Sequence, residues 1–175
     1  MSTWQSAQLT KASREDLAAV WKLVKADAQW LSDVKQLRHW LDYYTQEMIN
    51  NKIHKQEVYL FSEKDLPIAT ISMDQKPVPY YSNKELSTFA EKDAPALYLS
   101  TLAVKPEFHG KGVASYLLTM IEQIAKTRHI RYLRFDCRAE YQELVLFYKK
   151  RGFAVVGSFS EGEGQNYFLM EKKIA

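Results

Sequence analysis

A chain of 175 residues is long enough for one compact domain with a substantial core, so the starting expectation is a single domain over residues 1–175. Apolar residues make up 46% and charged residues 26%, and a basic excess of +3 is too small to imply a nucleic-acid or membrane partner. Cys137 is the one cysteine, which excludes an internal disulfide, and no stretch approaches the roughly 20 apolar residues that cross a bilayer. Met1 to Lys11 carries no apolar run of signal-peptide length, so the expected compartment is the cytoplasm.

In chain order, Gln5 to Leu9 alternates weakly and predicts a short strand. Ser13 with Asp16 has the form of a capping box opening a helix from Arg14 to about Gln29, with Leu17, Val20, Trp21 and Val24 on one stripe. A second helix is expected over Val34 to Asn50, where Leu37, Trp40, Leu41, Tyr44 and Met48 recur at helical spacing. Glu57 to Ser62 reads as a strand that Asp65-Leu66-Pro67 turns back into Ile68 to Met73, a hairpin. Gln75 to Pro95 is a long proline-broken loop with aromatic surface from Tyr80, Tyr81 and Phe89, and room for a short helix near Lys84 to Glu91.

Ala96 to Val104 is a clear strand. A helix follows from Lys111 to about Arg128 on Val113, Leu117, Ile121, Ile124 and Ala125. Tyr132 to Arg138 is a strand with Leu133, Phe135 and Cys137 on one side. Tyr141 to Arg151 is a helix carrying Leu144, Phe147 and Tyr148, and Gly152 stands where a left-handed cap would let Phe153 pack back. Strands over Ala154 to Phe159 and Gln165 to Lys172 close the chain. This order is a mixed α/β fold with a strand–helix–strand crossover at its centre.

The informative segment is Pro106-Glu107-Phe108-His109-Gly110-Lys111-Gly112-Val113-Ala114. All six glycines lie after His109, and two of them flank Lys111. A strand that feeds a glycine-bearing turn at a helix N-terminus makes an anion site. The first-turn amides lack helical partners there, and the helix dipole supplies partial positive charge. The dinucleotide fingerprint needs a third glycine, and the P-loop needs Ser or Thr after Gly-Lys; neither is present.

The segment resembles the Q/R-x-x-G-x-G/A signature of the GNAT superfamily of acyl-CoA-dependent N-acetyltransferases, with His109, Gly112 and Ala114 at its defined positions. His109 departs from the usual Gln or Arg, at a position the family uses largely through backbone amides. The preceding strand, Tyr98 to Val104, is similar to the family's, as are Leu133 to Cys137, Leu144, Phe147-Tyr148 and Arg151-Gly152-Phe153. The resemblance implies a twisted mixed sheet of six to seven strands flanked by about four helices. It also implies acetyl-CoA as co-substrate, held by Leu102, Ala103 and Val104 on the strand and by His109, Gly110, Lys111, Gly112, Val113, Ala114 and Ser115 on the loop.

Acetyl transfer to an amine needs the amine deprotonated, the thioester carbonyl polarised and the leaving thiolate protonated. By the same resemblance, Tyr148 matches the tyrosine that serves as general acid and also meets the cofactor. Backbone amides near Leu102 and Val104 would polarise the carbonyl where the family strand bulges. Tyr141 replaces a family asparagine that touches the cofactor. Tyr98, Ser100 and Thr101 stand where a carboxylate base is common, so Glu57 or a water chain is left for that task. Transfer would be direct, in a ternary complex, to an amine lying between the first two helices and the Gln75–Pro95 loop. A homodimer is compatible with this class.

Two rival readings remain at this stage: a non-catalytic acyl-CoA sensor, and a nucleic-acid binder using Lys126, Arg128, His129, Arg131, Arg134 and Arg138. That basic stretch reads more simply as a solvated helix end and strand edge. His39 and Trp40 fit an amphipathic helix, and Cys137 reads as a buried structural thiol. His54, His109 and His129 show no metal-ligand spacing.

Overall fold

The computed structural model describes residue 4, residues 6–162 and residues 164–174. Gln5, the first residue of the expected N-terminal strand, lies outside them, and the strand observed is β1, Ala7–Lys11. The elements that follow are α1 (Leu17–Lys35), α2 (His39–Tyr43), α3 (Gln46–His54), β2 (Val58–Glu63), β3 (Leu66–Asp74), α4 (Asn83–Leu86) and β4 (Ala96–Val104). They continue with α5 (Val113–Thr127), β5 (Tyr132–Arg138), α6 (Gln142–Lys149), β6 (Ala154–Ser160) and β7 (Asn166–Lys173). The seven strands form a mixed sheet in the order β1-β2-β3-β4-β5-β7-β6, in which β4 and β5 run parallel.

The chain gathers into two compact units. One comprises the residues up to Met73 with Thr101–Ile121; the other comprises Asp74–Ser100 with the residues from Glu122 onward. In the first, β1, β2 and β3 form an antiparallel meander whose buried residues Val58 and Leu60 meet Val20, Leu23 and Val24 of α1 and Ile49 and Ile53 of α3. The β2–β3 turn is one residue earlier than Asp65-Leu66-Pro67. Lys64 and Asp65 both take positive φ, 50° and 63°, the pairing that matches a two-residue hairpin to the strand twist.

Two helices expected from the periodicity are redrawn. The capping pair holds, with the Ser13 amide donating to Asp16 Oδ2 at 2.7 Å, but it opens a 3-10 turn over Arg14–Asp16 before α1 begins. α1 then runs beyond Gln29 to Lys35, because Ala28 and Leu31 continue the buried stripe, and it stops where Gln36 turns left-handed. The single helix expected over Val34 to Asn50 is therefore two, α2 and α3. Thr45 adopts an extended conformation between them and accepts the Met48 amide at 3.2 Å, an N-cap inside a periodic run.

In the second unit, β5, β7 and β6 form an antiparallel ladder beside the short parallel pairing Ala96–Tyr98 with Tyr132–Arg134. α6 closes as anticipated: Gly152 sits at φ 85°, its amide reaches Lys149 O at 3.0 Å, and the Phe153 amide reaches Tyr148 O at 3.2 Å. The buried face of α6 is Val145 and Tyr148; Leu144 is only partly covered. No helix among the described residues is long and apolar enough to cross a membrane.

Candidate functional site

β4 carries the first element of the site. Thr101, in the middle of this strand, has φ 53°. A β-branched residue in the left-handed region is a genuine outlier, and such strain persists only where the surroundings over-determine it. The restraint comes from neighbouring helices. Thr101 is buried, its Oγ1 donates to the Tyr44 hydroxyl at 3.0 Å, and it accepts from Lys52 Nζ at 3.3 Å. The resemblance implied an irregularity near Leu102 and Val104, and the kink lies at the residue before Leu102.

Val104 ends the strand under a second restraint. Its N–H donates to Asp27 Oδ2 at 3.0 Å, and its carbonyl accepts from His109 Nε2 at 2.8 Å. Val104 was expected to offer its amide to a thioester carbonyl; here that amide is engaged by α1, so of the two expected donors Leu102 is the one this contact leaves. The Lys105 amide is held in turn by Ile68 O at 2.9 Å.

A 3-10 turn over Pro106–Phe108 follows. The turn uses two loop amides for itself: His109 N–H donates to Pro106 O at 3.1 Å and Lys111 N–H to Phe108 O at 3.2 Å. The expectation that position 109 acts through its backbone amide is corrected by this bond. Gly110 and Gly112 take φ 72° and 81°. A Cβ on Gly110 would meet nothing within 4 Å, and one on Gly112 only Trp4 Nε1 at 4.0 Å. Both glycines are therefore demanded by backbone conformation rather than by crowding, and the space before them is open. Trp4 steadies the turn, with Nε1 donating to Lys111 O at 3.1 Å and its ring edge-on to Phe108 at 5.8 Å. Beyond this turn the Tyr116 amide donates to Gly112 O at 3.0 Å, at the start of the α5 ladder.

The second unit holds the remaining candidates. Tyr148 is buried on α6 with its ring against Phe135 at 4.4 Å, Phe147 at 5.2 Å and Phe153 at 5.8 Å. Tyr141 lies at the N-cap of α6, where its carbonyl accepts the Leu144 and Val145 amides. Asp136 on β5 accepts the hydroxyls of Tyr80 at 2.8 Å and Tyr81 at 2.6 Å. Burial, then the Asp136 charge, drives the Tyr81 phenol far above its ordinary range, which keeps it a proton donor. The sequence reading passed over Asp136. Its one signal was a lone acidic residue in a strand that also carries Arg134 and Arg138, and the partners that single it out are more than fifty residues away along the chain.

Glu57, weighed as a base, precedes β2 and uses its carbonyl to accept the Met73 amide. Cys137 is buried, and burial together with Asp136 pushes its thiol up to about 12, which keeps it in the un-nucleophilic form. The basic stretch is not uniformly solvated. Arg134 is fully buried, its Nε donates to Glu171 at 2.8 Å, and its terminal nitrogens donate to the carbonyls of Ala90, Glu91 and Lys92 and to the Tyr98 hydroxyl. Arg138 is buried as well and pairs with Glu140 at 3.0 Å. Those two arginines form internal anchors, which removes them from any nucleic-acid face.

A kinked strand feeding a left-handed glycine turn at a helix N-terminus, on a mixed sheet, is the architecture of a protein that receives a phosphorylated carrier. A family model described as "Acetyltransferase (GNAT) domain" matches residues 25–174, and the chain belongs to this family. It is accordingly an N-acetyltransferase with acetyl-CoA as co-substrate. A curated relative, the uncharacterized N-acetyltransferase YesJ of Bacillus subtilis (strain 168), is 28% identical over 163 residues, which cover 91% of this chain and 86% of the relative. Among solved structures, a GNAT-family acetyltransferase from Streptococcus agalactiae 2603 superposes with a TM-score of 0.78 at 13% identity, covering 99% and 98% of the two chains. PaiA N-acetyltransferase from Thermoplasma acidophilum, solved in complex with coenzyme A, gives 0.68 at 22% identity, covering 97% of this chain and 99% of its own. Those two likenesses carry the fold, and the fold expectation stands; the six helices among the described residues exceed about four because the Val34–Asn50 run is broken in two and the short α4 forms in the 75–95 segment.

Proposed function

We propose that the whole chain acts as one catalytic domain that transfers acetyl directly from acetyl-CoA to an amine. In this reading the diphosphate rests on the amides of Gly110, Gly112 and the opening turn of α5. The observation that carries it is the pair of left-handed glycines before α5, with open space where their side chains would be. Amides aimed outward at a helix N-terminus favour an anion through both hydrogen bonding and the helix dipole. Lys111, Ala114 and Ser115 line the same turn, and Leu102 with Ala103 supplies the strand edge along which the pantetheine arm would lie.

Acetyl-CoA supplies the acyl group as a thioester. The chain's residues then have three tasks. The Leu102 amide polarises the carbonyl that the amine nitrogen attacks. Tyr148 gives its phenolic proton to the sulfur as the carbon–sulfur bond breaks. The amine loses a proton to a carboxylate or to water; Glu57 and a water chain stay candidates, and Asp136, which accepts the Tyr80 and Tyr81 hydroxyls, joins them. Tyr141, at the start of α6, is assigned to the cofactor side of the same unit. No side chain is assigned as an acyl carrier, so a ternary complex is the expected order. The cytoplasm is the proposed compartment, consistent with a single buried, reduced cysteine.

The test is amine-dependent release of CoA across a panel of small amines and peptide N-termini. Tyr148→Phe should lower turnover by about 10²-fold or more while leaving the dissociation constant for acetyl-CoA unchanged. Full turnover in that variant removes Tyr148 from the proton transfer.

A further inference from the structure

We propose that Asp27 and His109 form a positioning pair that holds the Val104 peptide and, through it, the diphosphate-binding turn, and that this hold and the turn's affinity for CoA strengthen when His109 is protonated.

The inference rests on the loop being the CoA site, and on a closed circuit of contacts. The Val104 peptide is gripped at both ends: Asp27 Oδ2 takes its N–H at 3.0 Å, and His109 Nε2 donates to its carbonyl at 2.8 Å. The circuit is completed by Asp27 Oδ1 and His109 Nε2, 3.1 Å apart. A backbone carbonyl only accepts, so the contact with Val104 O fixes Nε2 as the protonated nitrogen and leaves Nδ1 to take the second proton. Asp27 is 8% exposed, between Val24 and Ala28 on the buried stripe of α1. A carboxylate in that position is costly unless paired, and Val104 and His109 are what pair it. Trp30, one helical turn on, meets the imidazole edge-on with ring centroids 4.4 Å apart and limits its rotation.

His109 is also the residue immediately before Gly110, so an imidazolium there adds positive charge to the turn that receives the diphosphate. The other charged side chains of the segment are committed locally. Lys105 pairs with Glu107 at 2.5 Å, and the ammonium groups of Lys105 and Lys111 lie over the Phe108 ring at 5.9 and 5.5 Å. From α1 the charged group that meets the ring is Asp27. Burial alone would lower the imidazole's pKa, but the bond and charge of Asp27 and the Val104 carbonyl outweigh it and raise it above 6.5. The stabilisation is thus complete below 6.5 and is lost as pH rises through the raised folded value.

The experiment is titration calorimetry of CoA with the intact protein between about pH 6 and 9, on the wild type, His109→Gln and Asp27→Asn. Glutamine keeps an uncharged donor for Val104 O but cannot take a proton. Wild-type affinity should weaken about five-fold across the range, the scale of one charge against one anion about 4 Å apart in water. His109→Gln should bind at every pH about as the wild type does at the alkaline end, and Asp27→Asn should move the wild-type midpoint to lower pH. Comparing variants on the same ligand removes the titration of CoA's own phosphate. A flat wild-type profile, or a His109→Gln profile as steep as the wild type's, overturns the positioning pair alone. Absence of CoA binding at every pH overturns it together with the reading of the loop.

Discussion

Gly110 and Gly112 are alike in type and in conformation, and both sit at φ values that cost an L-residue about 1–2 kcal/mol. No protein atom crowds either position, so the chain's own demand for glycine there is conformational, separate from the room a bound anion would need. The distinction is measurable. Gly112→Ala should fit the space and pay the conformational cost, weakening CoA binding roughly ten-fold with little loss of fold stability. Gly112→Val, β-branched at a positive φ, should pull the turn out of the left-handed region and abolish measurable CoA binding. Calorimetry with thermal melts checks both, and wild-type affinity in the two variants would refute the reading. His109 makes the complementary point. It departs from the signature by one side chain, and the structure gives that side chain partners, Asp27 and Val104, that a sequence position cannot reveal.

At the level of elements, helix ends were set by local chemistry that is written in the chain. The Ser13–Asp16 capping pair and the Gly152 cap form where short-range rules put them, while the short helix expected near Lys84 to Glu91 is α4, Asn83–Leu86, opened by a Ser82–Glu85 pair. Gly152→Ala therefore carries an expectation that depends on conformation alone, since a new Cβ would lie 3.5 Å from Lys172 Cε, an ordinary contact. It should cost about 1–2 kcal/mol, seen as a lower midpoint in denaturant at an unchanged slope. Thr45 shows where such rules fail. Its run of apolar neighbours keeps helical spacing on both sides, so periodicity passes over it, and the extended conformation that splits α2 from α3 emerges only when Trp40 and Tyr44 pack on the core that also receives Ile49 and Ile53.

On the scale of the whole molecule, each compact unit holds buried polar groups within its apolar core, Asp27 in the first and Arg134 with Glu171 in the second. In the second unit Arg134 is enclosed by Phe89, Tyr98 and Tyr132, with Glu171 as its counter-ion and three successive carbonyls, Ala90 to Lys92, as acceptors. This ties the end of the long Gln75–Pro95 segment to β5 and β7, and explains how a proline-broken loop is held in place. Arg134→Met should cost about 3–5 kcal/mol, because Glu171 would be left charged and buried. Thermal unfolding should register this as a fall of roughly 10 °C. Adding Glu171→Gln should restore part of the loss, and an unaltered melting temperature in the single variant would show that the anchor is dispensable.

The order and type of nearly every strand and helix, the glycine turn and the family it belongs to were written in the sequence, because periodicity, capping and glycine placement act within a few residues of each other. The kink at Thr101, the occupied amide of Val104, the Asp27–His109 pair and the tyrosine-bonded Asp136 were decided by the tertiary structure alone. Each depends on side chains brought together from distant positions, and a polar group's role is set by what desolvates and bonds it, which spacing along the chain does not encode.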